Sequence, residues 1–312
     1  MPKFDIKEIK GIIPALLTPF DKEENLDEKG LSGLIDRLIT QGAHGLYVAG
    51  STGEGFLMDI EERKRTVEIA MDEVKGRVPV IVHVGAISTK LSLELTHHAS
   101  DFKADAISSV PPFYYRFGEK EIVEYYRTLA AATDLPMIVY NIPLAGLMGY
   151  DTILKLAKLP NVKGIKYTSS TQYEMTMLKK DLGPDFMVYS GADEMALSGL
   201  LAGADGLIGS TYNAIGDTFL ALNKSFNEDN LILAREIMDE AVITIMKMLS
   251  YGSLMALLKA INRWTGVDAG YARAPFANFT AEEEEEMKKD FIKFGEENDI
   301  KHVQFINELR GK

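Results

Sequence analysis

The chain has 312 residues, of which 46% are hydrophobic and 26% are charged, and its formal net charge is -12. This composition is typical of a globular protein with a sizeable core and argues against a disordered chain. An acidic surface repels phosphate backbones and anionic membranes, so we expect neither nucleic acid nor a membrane as partner. With 0 Cys, the sequence also excludes disulfides, thiolate metal sites and a cysteine nucleophile.

The first ten residues mix charges and lack the apolar core and cleavage site of a signal peptide. Nowhere do about 18 apolar residues run together, which is the length that a membrane-spanning helix needs. We therefore expect a cytoplasmic protein without a membrane span.

Eight short apolar segments follow one another along the chain, and each precedes a longer amphipathic segment with helical periodicity. They are GIIPALL from Gly11, GLYVAG from Gly45, PVIVHVG from Pro79, AISSV from Ala106, PMIVY from Pro136, VKGIK from Val162, FMVYS from Phe186 and GLIGS from Gly206. Strands that alternate with helices form parallel sheets through right-handed crossovers. The pattern therefore predicts eight strand–helix units.

Eight such units match an α/β fold of the (β/α)₈ TIM barrel type, and an open doubly wound sheet is the alternative. We expect residues 1–225 to form the barrel and residues 226–312 to form a C-terminal helical appendage packed on it. Three predicted helix starts carry the spacing of a capping box. They are Asp59 with Glu62, Thr171 with Glu174, and Thr280 with Glu283.

The unusual residues of the sequence collect where the predicted strands end, which is where barrel enzymes keep their active sites. The segment GSTGE, residues 50–54, follows the second strand. Its glycines let backbone amides converge on an anion, and Ser51 and Thr52 add hydroxyl donors for a carboxylate or phosphate. The alternative is a tight turn in which Ser or Thr caps a helix. The segment lacks the lysine and the spacing of nucleotide-binding loops.

Lys166 ends the sixth strand, and Tyr140 ends the fifth. A lysine amine in a low-dielectric site loses its proton readily and can then form a Schiff base with a carbonyl. The alternative is a lysine that reaches solvent beyond the barrel rim. Tyr140 and Tyr114 have a structural alternative as well, because tyrosines often end strands with a buried ring and a wet hydroxyl.

A carboxylate cradle, a phenol and a strand-end amine are together the parts needed to make or break a carbon–carbon bond beside a 2-keto acid. The five histidines have no metal-binding spacing, so we predict no metal site. They are His44, His83, His97, His98 and His302.

Residues 190–223 contain no Lys or Arg but carry Asp193 and Glu194 just after the seventh strand. Carboxylates accept hydrogen bonds from hydroxyl groups, so this segment suits a neutral polyol. The alternative is that Asp193 and Glu194 cap a helix N-terminus.

Five motifs carry a family resemblance: GSTGE, PPFYY, YNIP, GIKYTS and SGADEMALSGLLAGADGLIGSTYN. In this order, over roughly residues 10–275, they resemble the dihydrodipicolinate synthase / N-acetylneuraminate lyase superfamily of class I aldolases. The last motif is most similar to the N-acetylneuraminate lyase branch.

The resemblance implies a role for each matching residue and no cofactor. Lys166 corresponds to the Schiff-base lysine and Tyr140 to the phenol that shuttles a proton. Tyr114 is similar to a tyrosine that family members contribute to a neighbouring subunit, which implies a homotetramer. The substrate-binding positions comprise Ser51 and Thr52 for the carboxylate, and Thr168, Gly191, Asp193, Glu194 and Ser210 for the hydroxyl-rich tail of sialic acid.

Two positions depart from family patterns. Synthase members usually have an arginine where this chain has Ala145, which argues against a dicarboxylate aldehyde as substrate. Lyase members often have an aromatic residue at Ala192, so the sugar specificity stays open. The expected reaction is reversible cleavage of N-acetylneuraminate to N-acetylmannosamine and pyruvate. Alternatives are another 2-keto-3-deoxy sugar acid, the 4-hydroxy-tetrahydrodipicolinate synthase reaction, and a silent keto-acid sensor, which retention of Lys166 and Tyr140 disfavours.

Overall fold

The computed structural model describes residues 2–311, and these contain eight parallel strands that alternate with helices. The eight predicted strand–helix units are confirmed. The strands are β1 (Gly11–Pro14), β2 (Leu46–Val48), β3 (Val80–His83), β4 (Ala106–Ser109), β5 (Met137–Asn141), β6 (Val162–Tyr167), β7 (Met187–Ser190) and β8 (Gly206–Gly209).

The sheet closes into a barrel. Each strand from β2 to β8 pairs with its successor or predecessor in the chain, and β1 pairs with β8 from Gly11↔Gly206 onward. An isolated bridge between Ala15 and Tyr47 joins β1 to β2. The open doubly wound alternative is therefore wrong, and the fold is a TIM barrel. Because all strands run parallel, their carboxyl ends form one rim.

A helix follows each strand and packs on the outside of the barrel. These helices are α1 (Glu28–Gln41), α2 (Ile60–Val74), α3 (Thr89–Asp101), α4 (Glu119–Ala131), α5 (Tyr150–Leu156), α6 (Tyr173–Leu182), α7 (Ala196–Leu201) and α8 (Tyr212–Asn227). Their inward faces follow the helical period: α1, for example, buries Leu31, Leu34, Ile35 and Leu38.

Two of the three predicted capping boxes are confirmed, at Asp59 and at Thr280. The third is wrong, because α6 begins at Tyr173 without a side-chain cap. The Tyr167 hydroxyl instead contacts both Thr171 and Glu174, and so occupies the groups that a capping box would use.

Apolar side chains fill two separate regions. The larger cluster lies between the sheet and the helices, and a smaller one fills the barrel interior, where it includes Ile81, Ile138, Met187 and Ile208. Tyr140 belongs to the inner cluster and is nearly inaccessible to water. The floor of any site at the rim is therefore apolar.

Four more helices follow the barrel: α9 (Leu231–Leu249), α10 (Leu254–Trp264), α11 (Ala281–Glu297) and α12 (Gln304–Leu309). They join the barrel through contacts such as the Thr218 hydroxyl, which donates to the His302 carbonyl at 2.7 Å. Within residues 2–311, no single helix has the length and apolarity to cross a membrane. Helices α9 and α10 pass that test only as a pair, with a bend of 113° between them.

Candidate active site

Lys166 points into the barrel, where its side chain is 4% exposed. The parallel register places it beside Tyr140 of β5 and Tyr189 of β7. Its Nζ lies 4.3 Å from the centre of the Tyr140 ring and 4.5 Å from that of Tyr47. The alternative of a lysine that reaches solvent is therefore wrong.

Burial sets the protonation of this amine. It lowers the pKa of Lys166 to about 7, and the negative charge of Asp193 only partly opposes that effect. Among the described residues, Lys166 makes no ion pair that would fix the ammonium form. Near neutral pH a large fraction of the side chain is thus a free amine, which is the nucleophilic form.

Tyr140 is buried, with 4% of its surface exposed. Burial raises the pKa of its phenol well above the usual value, and the charge of Asp193 acts in the same direction. The phenol therefore keeps its proton at neutral pH. Next to the free amine of Lys166, the phenol can donate a proton, and it can act as a base only after it has lost that proton.

The turn that carries Ser51 and Thr52 follows β2 and is closed by hydrogen bonds from Glu54 N to Ser51 O and from Gly55 N to Gly50 O, both 3.0 Å long. Helix α2 is capped by Asp59, so the alternative of Ser51 or Thr52 as helix cap is wrong. Within residues 2–311, the backbone N–H groups of Ser51 and Thr52 donate to no protein acceptor. They are available to an anion.

Two hydroxyl groups meet across the rim. Thr52 Oγ1 and Ser210 Oγ, which follow β2 and β8, are 2.6 Å apart. The contact joins the predicted carboxylate cradle to the loop after the last strand. Ser210 thus lies at the border between the predicted carboxylate site and the predicted polyol site.

Gly191 and Thr168 lie against Lys166. A Cβ atom on Gly191 would be 2.0 Å from Thr168 Oγ1 and 3.0 Å from Lys166 Cε, so no side chain fits at this position. Thr168 Oγ1 is buried and has no hydrogen-bond partner in the described part of the chain. A buried hydroxyl without a partner is costly, which makes it a candidate contact for a ligand.

Asp193 and Glu194 differ in their surroundings. Asp193 is buried, and its Oδ2 accepts hydrogen bonds from Thr211 N at 2.8 Å and from Thr211 Oγ1 at 2.7 Å. Burial raises the pKa of Asp193, whereas these hydrogen bonds and the charge of Lys166 oppose the rise. Neither residue caps the short helix Asp193–Met195, so the capping alternative is wrong. Glu194 is exposed, and its oxygens accept no hydrogen bond within residues 2–311.

Tyr114 is the predicted residue that the structure does not bring to Lys166. It is 86% exposed and has a left-handed backbone φ of 79°, and among residues 2–311 its ring contacts only that of Tyr115, at 5.1 Å. The remaining predicted residues lie at or just beyond the carboxyl ends of β2, β5, β6, β7 and β8.

The sequence analysis missed His83 and Tyr47. His83 ends β3, and its ring centre lies 6.3 Å from that of Tyr140. Burial and the charges of Arg63 and Lys166 hold the pKa of His83 well below its usual value, so the imidazole is neutral. The signal that the sequence carries for His83 is its place as a titratable residue at a strand end. The described residues contain no group of side chains arranged to hold a metal ion.

A cavity of about 290 Å³ opens beside Ser51. Besides Ser51 and Glu54 its walls are apolar, and none of its lining side chains is a lysine or an arginine. Ala145 forms part of this wall. The cavity offers no cation to a second carboxylate.

The chain belongs to the dihydrodipicolinate synthetase family, whose model matches residues 8–293. It is 40% identical over 274 residues to an N-acetylneuraminate lyase of Enterobacter sp. (strain 638), a match that covers 87% of this chain and 92% of that protein. The family resemblance seen in the motifs is thereby confirmed.

Two solved structures are similar over nearly the whole chain. The sialic acid aldolase of Ruminococcus gnavus, solved as a catalytic lysine mutant, has a TM-score of 0.90 at 32% identity and covers 100% of this chain and 99% of its own. CdNal from Clostridium difficile, solved in complex with mannosamine, has a TM-score of 0.85 at 37% identity and covers 90% of this chain and 97% of its own.

The low pKa of Lys166 gives a testable pH dependence. With pyruvate and borohydride, the rate of covalent trapping on Lys166 should fall as the pH drops through about 7, because the ammonium form is not nucleophilic. Asp193→Asn should move this midpoint to lower pH, since the carboxylate charge raises the pKa of Lys166. Mass spectrometry of the reduced adduct measures both, with Lys166→Ala as the control. A midpoint near the usual lysine value of about 10.4 would contradict the prediction.

Proposed function

We propose that this protein is a class I aldolase that reversibly cleaves N-acetylneuraminate to N-acetylmannosamine and pyruvate without a cofactor. The observation that carries the proposal is a buried amine, Lys166, with a pKa of about 7 beside the protonated phenol of Tyr140. The similarity to proteins named N-acetylneuraminate lyase and sialic acid aldolase supports this substrate.

Formation of the covalent intermediate uses three groups. The turn amides and hydroxyls of Ser51 and Thr52 hold the carboxylate, which brings the keto carbon to Lys166 Nζ. The amine adds to that carbon and forms a carbinolamine. Tyr140 then gives its proton to the departing hydroxyl, so that water leaves, an iminium forms and Tyr140 becomes a phenolate.

Cleavage uses the phenolate. Tyr140 accepts the proton of the C4 hydroxyl, the C3–C4 bond breaks, and its electron pair moves to the iminium nitrogen, which gives an enamine and releases the aldehyde. Tyr140 returns the proton to C3 and is again a phenolate. Water then hydrolyses the iminium to pyruvate and the free amine of Lys166, and the proton released in this step goes to Tyr140, which restores the phenol. Burial of Tyr140 favours this cycle because its phenolate is a strong base that does not persist.

For the sugar tail we propose Thr168, Gly191, Asp193, Glu194 and Ser210. Gly191 leaves room beside Lys166, and the unpartnered Thr168 hydroxyl faces the same space. Glu194 offers free carboxylate oxygens, whereas Asp193 is largely occupied by Thr211. The direct acceptor for sugar hydroxyls is therefore Glu194, and Asp193 acts mainly on the charge of Lys166.

Glu194→Gln should raise the KM for N-acetylmannosamine in the condensation direction and leave the KM for pyruvate unchanged, because only the sugar meets this side chain. Loss of a hydrogen bond to a charged group costs about 1.5–3 kcal/mol, which corresponds to a factor of about ten or more. Steady-state kinetics with each substrate varied in turn measure the two constants. Glu61→Gln, on the outer surface of α2, is the matched control. Equal changes in both constants would contradict the assignment.

The synthase reaction is the second candidate, and the cation-free cavity around Ala145 disfavours it. A dicarboxylate aldehyde in that cavity would have no counter-charge, so its desolvation would be uncompensated. One preparation should therefore cleave N-acetylneuraminate and fail to condense pyruvate with aspartate semialdehyde. Better turnover of the semialdehyde would make the synthase the assignment. Trapping of pyruvate on Lys166 without turnover of either substrate would point to another 2-keto-3-deoxy sugar acid.

We further propose a cytoplasmic homotetramer in which residues 1–225 form the catalytic barrel and residues 226–312 a helical appendage. The acidic surface disfavours nucleic acid and anionic membranes as partners. Tyr114, which is 86% exposed, is available to complete the site of a neighbouring subunit.

Subunit mixing tests this role of Tyr114. Tyr114→Ala and Lys166→Ala should each lose most activity, but mixed oligomers should recover part of it, because some sites combine an intact Lys166 with a Tyr114 from the neighbour. Analytical ultracentrifugation should give the mass of a tetramer. A mixture as inactive as its components, at unchanged oligomeric state, would show that Tyr114 does not act in trans.

A further inference from the structure

A buried ion pair lies behind the carboxylate cradle. Lys259 Nζ on α10 is 2.5 Å from Glu54 Oε1, and both side chains are 0% exposed although the residues are 205 positions apart. Glu54 is the last residue of GSTGE, the turn that carries Ser51 and Thr52. The pair therefore connects the C-terminal helices to the candidate active site.

The C-terminal segment holds both oxygens of the Glu54 carboxylate. Lys259 contacts Oε1, and the backbone N–H of Arg273 donates to Oε2 at 2.8 Å. Lys259 also donates to the carbonyl of Tyr271 at 2.7 Å. The carboxylate thus has one orientation, fixed by a helix and by the chain that follows it.

The far end of the turn is held in the same way. The Arg273 guanidinium donates to Leu57 O at 3.1 Å and to both carboxylate oxygens of Glu62 on α2, at 2.6 and 2.7 Å. Lys259 Nζ and the Arg273 guanidinium lie 4.7 and 4.0 Å from the centre of the Phe20 ring. One side of the turn is therefore clamped to the C-terminal segment, and the other side carries the amides of Ser51 and Thr52.

The turn needs such a clamp. Glu54 has a left-handed φ of 55°, a backbone conformation that is strained for a residue other than glycine. A buried ion pair is a poor source of net stability, because desolvation of both charges offsets their attraction. Its directed hydrogen bonds instead fix the conformation of the groups that it joins.

We propose that Glu54 and Lys259 are positioning residues, which hold the turn so that the Ser51 and Thr52 amides converge on the carboxylate of a 2-keto acid. Neither residue touches that carboxylate. The inference rests on the proposed function of the turn as a carboxylate cradle, and it gives the C-terminal helices a part in substrate affinity.

The test compares Glu54→Gln, Lys259→Met and the double variant with wild type, with Lys179→Met as the matched control. Lys179 pairs with Asp205, before β8 and thus at the opposite end of the barrel. The readouts are the pyruvate concentration that half-saturates borohydride trapping on Lys166, the trapping rate at saturation, and the Tm.

Each single variant should raise the half-saturating pyruvate concentration about tenfold, as expected for a lost hydrogen bond to a charged group. The saturated trapping rate should change by less than about twofold, because Lys166 and Tyr140 are untouched. The double variant should regain Tm, since it leaves no unpaired buried charge, but not pyruvate affinity, since the turn stays unclamped. Lys179→Met should bind pyruvate as wild type does.

Unchanged half-saturation in the variants, with only a lower Tm, would overturn the inference, because the pair would then be a structural brace. Recovery of pyruvate affinity in the double variant would overturn it as well. If Lys259→Met does not fold, the nearly isosteric Glu54→Gln decides alone. A wild-type protein that forms no adduct on Lys166 would overturn the proposed function itself, which separates the two failures.

Discussion

The desolvation of one amine is the constraint on which the site depends. Lys166 is enclosed by the Tyr47 and Tyr140 rings, and an enclosed ammonium without a paired anion is unfavourable, so the pKa falls to about 7. In the described part of the chain, the residues around Lys166 leave it without a paired anion. His83 is neutral and Tyr140 is protonated, so neither supplies an anion. Asp193 is the nearby carboxylate, and its hydrogen bonds from Thr211 stabilise its charge without Lys166 as partner.

The barrel creates that enclosure through its register. Parallel pairing places Tyr140, Lys166 and Tyr189 on adjacent strands, so their side chains share one level of the interior. Below them the inner apolar cluster keeps water out. The reactive amine and the proton-carrying phenol are thus fixed by backbone hydrogen bonds rather than by mobile loops. The residues proposed to bind the sugar lie on the loops just above, where a change of residue leaves the barrel intact.

The alternation of short apolar and longer amphipathic segments was enough to predict the eight strand–helix units and the position of Lys166 at a strand end. That position does not depend on the conformation of the loops. The alternation could not reveal Tyr47 and His83 as neighbours, since their approach to Tyr140 depends on closure of the barrel across several strands. Contacts between residues far apart in the chain could not be predicted for the same reason. Thr211 takes the Asp193 carboxylate, and Lys259 meets Glu54 across 205 residues. At Thr171, the local capping box does not form, because Thr171 and Glu174 hydrogen-bond to the Tyr167 hydroxyl instead.

Within residues 2–311 two lysines are buried, Lys166 and Lys259, and their surroundings act on them in opposite ways. Burial also lowers the pKa of Lys259, to about 8, but Glu54 lies 2.5 Å away and opposes the shift, so the paired form is an ammonium with a structural role. Lys166 has Asp193 as its neighbouring carboxylate, and that group is turned toward Thr211. Burial alone therefore does not make a lysine a nucleophile. The two lysines differ in the hydrogen bonds of the nearest carboxylate. Glu54 accepts a hydrogen bond from Lys259, whereas Asp193, which follows β7, accepts its hydrogen bonds from Thr211, which follows β8.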